Sequence, residues 1–125
     1  MAVTHPTAVR TGIADFVVDQ LDEGVPPGKL EFQTAASASV ATLTFANPAF
    51  GAASNGTATA GAIVSDTNAD GGTIAKAEWR NAALTAKVLC SVTATGGGGD
   101  IELSSVVVSA GQTVSMSSLT YSAPA

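Results

Sequence analysis

The sequence predicts a mainly β fold, an antiparallel β-sandwich of jelly-roll type preceded by one N-terminal amphipathic helix. Three observations carry this expectation. Apolar residues recur at helical spacing before Gly24 and at period two after Gly28. Turn-forming residues then interrupt the chain at the short intervals typical of sandwiches and jelly rolls. No helical pattern lies between the strands, which disfavours parallel βαβ units.

Over residues 7–23, Val9, Ile13, Phe16, Val17 and Leu21 define one helical stripe. Thr7, after Pro6, is the expected N-cap, and Gly24 followed by Val25-Pro26-Pro27 is a stop signal. Gly12 inside the helix costs about 1 kcal/mol relative to Ala. The stripe has two readings: packing against its own domain, or an arm with Ile13 and Phe16 as contacts that docks on a neighbouring subunit. Asp15, Asp19, Asp22 and Glu23 read as a solvated helix face.

The strands follow in order. Residues 29–34 place Leu30 and Phe32 on one face, and residues 40–45 do the same with Leu43 and Phe45 before Asn47-Pro48 breaks the run. Phe50 is expected to fold back into the core. Asn55-Gly56 is a two-residue hairpin signal leading into a strand over 57–64. A polar loop, 65–72, precedes a strand over 73–80 with Ala75, Ala77 and Trp79 on one face. Residues 81–83 turn the chain into 84–95, where Leu84, Ala86, Val88, Cys90 and Val92 share a face. Four glycines, 96–99, read as a loose hairpin loop into a strand in which Ile101, Leu103, Ser105 and Val107 alternate with Glu102, Ser104 and Val106. Ala110-Gly111 turns again, and Val114, Met116, Leu119 and Tyr121 belong to one or two closing strands. The chain reads as a single domain over residues 1–125, with the helix over about 7–23 and the sandwich over about 29–122.

Composition bounds the function. Ala, Thr, Gly and Ser make up half of the chain and only 12% is charged, so the surface is small and neutral and suits permanent contact with other subunits. The net charge of −5, with Lys29, Lys76, Arg80 and Lys87 scattered, disfavours nucleic acid as a partner. One cysteine, Cys90, makes no internal disulfide and reads as a buried small hydrophobe. The N-terminus lacks a signal-peptide pattern, and no apolar run is long enough to span a membrane, so synthesis in the cytoplasm without a membrane partner is expected.

Few residues offer chemistry. Asp66, Asn68 and Asp70, with Gly71 after them, match the opening half of a calcium-binding EF-hand loop, but its twelfth position is Ala77 rather than Glu. The expectation is an Asx-rich turn and no metal. The glycine run lacks the Gly-Lys-Ser/Thr ending of a phosphate-binding loop, and Asp100 would repel phosphate. His5, the single histidine, has no rigid serine beside it and no second ligand type for zinc beyond Cys90. Trp79 with Arg80 and Asn81 is a thin version of a sugar platform, and core packing is the simpler reading. No cofactor, no catalytic residue and no enzymatic activity are expected.

The words "GKLEFQTA", "ATLTFANPAFGAA", "SVTATGGGGDIELSS" and "SAGQTVSMSSLTYSAP" resemble a family of small virion structural proteins encoded by tailed bacteriophages and prophages. The resemblance runs over nearly the whole chain and consists of strand and turn words. It implies a component of the particle, with capsid decoration or cement as the leading role. The implied partners are the major capsid protein and further copies of the chain as a dimer or trimer, at the capsid surface of the virion. The alternative is a tail-, neck- or fibre-associated module with receptor or glycan binding.

Overall fold

The computed structural model describes residues 3–24 and 27–123. The Val25-Pro26 half of the expected stop signal lies outside the described residues. The chain is mainly β, with 37% strand and 13% helical, and among the described residues its one α-helix is N-terminal. The order is α1 (Thr7–Asp19), a 3-10 turn (Gln20–Asp22), β1 (Lys29–Gln33), β2 (Ser39–Thr44), β3 (Thr57–Thr59), β4 (Gly72–Thr73), β5 (Lys76–Arg80), β6 (Ala86–Ala94), β7 (Ile101–Leu103), β8 (Val107–Val108) and β9 (Thr120–Ser122).

A curled five-stranded sheet, β2-β1-β5-β6-β7, forms the body, and two small ladders, β3-β9 and β4-β8, supply residues to the same core. The registers place Leu43, Leu30, Trp79 and Val88 in one row across the sheet, and Ala41, Phe32, Ala77 and Cys90 in the next. Directly opposed residues share a face, so both rows look inward. Phe45, Phe50 and Tyr121 close on Trp79: the Phe50 ring stacks on it at 5.6 Å and Tyr121 meets it edge-on at 6.2 Å. The outer face is polar apart from Leu89. There Glu31 and Glu78 stand directly opposite one another, and the Arg80 guanidinium bonds both carboxylates, relieving the repulsion.

The sheet is mixed rather than wholly antiparallel. β7 runs parallel to β6, pairing Val92 with Ile101 and Ala94 with Leu103, so the glycine run is a fold-back and not a hairpin loop. Local chemistry explains how so short a link does this. Gly96 and Gly98 take φ of 89° and 80°, and a Cβ on Gly97 would lie 2.6 Å from that of Thr93. The Glu102 carboxylate accepts the Gly96 and Gly98 N–H groups, each at 3.1 Å, and Asp100 accepts the Ser91 N–H at 3.0 Å. Internal carboxylates therefore occupy the positions that a bound anion would need.

Three further expectations are corrected. Leu84 has φ 64° and is exposed, because the Asn81 side chain accepts the Thr85 N–H and holds a tight turn ahead of β6. Val107 points outward and Val108 inward, because bends at Ser104 and Val106 end β7 and shift the alternation by one residue. The strand after Asn55-Gly56 is only three residues long. The turn itself forms as expected, with Ser54 and Thr57 exchanging backbone hydrogen bonds, but the segment before it meets the chain only through the single bridges Ser54 to Thr57 and Phe50 to Ala60, and the partner strand of β3 is β9.

Candidate association surface

The helix does not bury the stripe that its spacing suggests. Its buried residues are Ala14, Val18 and, in the 3-10 turn, Leu21, whereas Phe16 is 67% exposed and Val9 47% exposed. Ile13 and Val17 flank the boundary, half-buried. Successive helical residues advance by about 100°, so Val9, Gly12 and Phe16 form one outward strip opposite the Ala14/Val18 seam.

Polar contacts explain why this face was chosen. Asp15 Oδ1 accepts the Ala53 N–H at 2.7 Å, Asp22 Oδ1 the Ala49 N–H at 2.9 Å, and Thr11 Oγ1 the Gly56 N–H at 2.9 Å. The loop leading into β3 has main-chain donors that its own short strands leave unpaired, and the helix satisfies them. Satisfying those donors requires the helix to turn residues 11, 15 and 22 toward the domain, which carries Phe16 out. The acidic residues read as a solvated face are thus divided: Asp15 and Asp22 attach the helix, Asp19 is exposed, and Glu23 bonds Lys87 at 2.8 Å. The Lys87 ammonium holds the Glu23 carboxyl below its ordinary range. Thr7 is the first helical residue rather than the cap; Pro6 occupies the cap position with no side-chain bond.

Gly12 is unexplained by its own fold. A Cβ there would meet nothing within 4 Å, so neither a positive φ nor a tight intramolecular contact requires glycine at a position where Ala is worth about 1 kcal/mol more.

A second feature is a cleft of about 390 Å³ between β6 and β9, lined by Trp79, Val88, Cys90, Asp100, Leu119 and Tyr121 among others. The Trp79 indole N–H is buried with no hydrogen bond of normal geometry, and the thiol beside it is at best a weak acceptor. Burial pushes the Cys90 pKa up, the indole N–H partly offsets this, and the Asp100 charge pushes upward again. Cys90 is accordingly half-buried on the expected inward face rather than fully enclosed. The ladder between β5 and β6 shifts register between Trp79 and Arg80, beside this cleft. Leu89, 71% exposed, points to the other face of the sheet.

The remaining sequence candidates lie apart from both features. Asp66 spends one carboxylate oxygen on the Thr42 N–H and the other on the Asn68 N–H, an Asx turn that also pins β2. Asn68 and Asp70 are exposed, and no group of three or more metal-ligating side chains occurs among the described residues. His5 is exposed just ahead of the helix. No described helix is long and apolar enough to cross a membrane. No protein-family model matches the chain, and no curated protein or solved structure matches it.

Proposed function

We propose that the chain is a structural component of a tailed-phage particle, a capsid decoration protein that clamps major-capsid subunits, with a jelly-roll-type sandwich as its architecture. The observation that carries the reading is the two-faced helix. One side is tied down by Asp15, Asp22, Val18 and Leu21, while Phe16 and Val9 are presented to solvent from a rigid element. Such a face is costly to a free protein and useful to one that lives in contact with others. The small neutral composition and the likeness of the strand and turn words to small virion proteins support the same reading. On a symmetric lattice each modest contact is repeated, so many weak sites add up to a stabilised shell.

The test is a particle assembled without the protein. Such particles should form but lose DNA at lower temperature or under osmotic shock, and added purified protein should restore them. Labelled copies found in small numbers at the neck or tail would replace decoration with the tail-associated reading.

A further inference from the structure

We infer that the outward helix strip is a homodimer contact, in which α1 of a second copy packs antiparallel across a two-fold axis passing beside Gly12 and Ile13. The strip is self-complementary in size. In an antiparallel pair centred between residues 12 and 13, Phe16 lies over the partner's Val9, Val9 over the partner's Phe16, and Gly12 beside the partner's Ile13. A large exposed ring thus meets a smaller side chain, and the glycine at the centre lets the two backbones approach closely. This supplies the reason for Gly12 that the monomer lacks.

Charge runs the same way. Asp19 sits exposed at the end of the helix and His5 just before its start, so each copy brings its one histidine to the level of the partner's Asp19. The two helix dipoles are antiparallel, which is their favourable arrangement. Arg10, the cation within the helix, lies against Gly56 and stays out of the strip. A single helix pair is small beside the usual specific interface, so the dimer is weak in solution and strengthened where a lattice holds copies together.

The inference rests on the assignment of this helix face as the association surface, and the experiment separates the two. Sedimentation equilibrium of the full chain, from micromolar to millimolar, should show a monomer–dimer equilibrium. F16D should abolish it with the melting curve unchanged, and V9D, at an independent point of the strip, should weaken it. G12C in a C90S background should give a disulfide-linked dimer under mild oxidation, because the axis brings the two positions together. A wild-type chain that stays monomeric throughout, or an F16D chain that dimerises as wild type does, overturns the inference. If the wild type is monomeric and F16D nevertheless fails to join particles, the strip contacts another protein and only the homodimer falls.

Discussion

Asp15 accepts the backbone N–H of Ala53 at 2.7 Å, a bond that joins the helix to a loop 38 residues further along the chain. Together with the matching bonds from Thr11 and Asp22 it fixes the rotation of the helix, and the rotation decides which apolar side chains face solvent. D15A should therefore destabilise the domain by about 1–3 kcal/mol, the cost of leaving a partly buried donor unpaired. Chemical denaturation of the purified chain measures this.

The same geometry predicts opposite outcomes at two positions two residues apart. V18D places a charge in the helix seam and should cost about 3 kcal/mol or more, whereas F16D should lie within about 0.5 kcal/mol of wild type. Equal losses at the two positions would mean that the helix faces are assigned the wrong way round.

Gly12 offers a gain of stability. With open space around its Cβ position, G12A should stabilise the isolated chain by about 1 kcal/mol. Thermal melting at low protein concentration reads this, and a loss of stability there would mean that the glycine is needed within the monomer.

The glycine fold-back makes a paired prediction. G97A drives a methyl group into Thr93 and should cost about 1–3 kcal/mol. T93G gives up both the Cβ that the new methyl would meet and the hydroxyl that accepts the Gly99 N–H at 3.0 Å, yet it should make G97A milder in the double variant. A strictly additive double-mutant cycle would show that the clash with Thr93 is not the cause.

Much of this architecture was legible in the sequence, and the reasons differ by element. Leu30, Phe32, Leu43 and Phe45 alternate cleanly, so their strands and inward faces followed from period two alone, and Asn55-Gly56 announced its turn. The direction of β7 was not legible, because alternation records which face a residue takes and not which way the neighbouring strand runs. The outward rotation of Phe16 was not legible either. It depends on unpaired donors at Ala49, Ala53 and Gly56, which only the folded loop reveals. Of the candidate association surface, the sequence thus named Ile13 and Phe16, but the exposed strip runs through Val9, Gly12 and Phe16, with Ile13 at its margin.

Cys90 titrates in a direction that can be checked. Its folded pKa is raised by burial, so its contribution to stability is fully present below the unfolded value, near about 8.5, and is lost as pH rises from there through the raised folded value. Native protein should react slowly with a thiol reagent at pH 8 and rapidly once unfolded. Fast native labelling with an ordinary thiol pKa would show that the cleft beside Trp79 is open to water.

The account's central claim is that the outward helix face joins this protein to a particle. It is tested most directly by adding wild-type and F16D protein, each confirmed folded, to particles that lack the chain and counting the bound copies by quantitative mass spectrometry. The account predicts hundreds of wild-type copies per particle and a loss of at least tenfold in occupancy for F16D. Equal occupancy of the two proteins, or no binding by wild type, would contradict it.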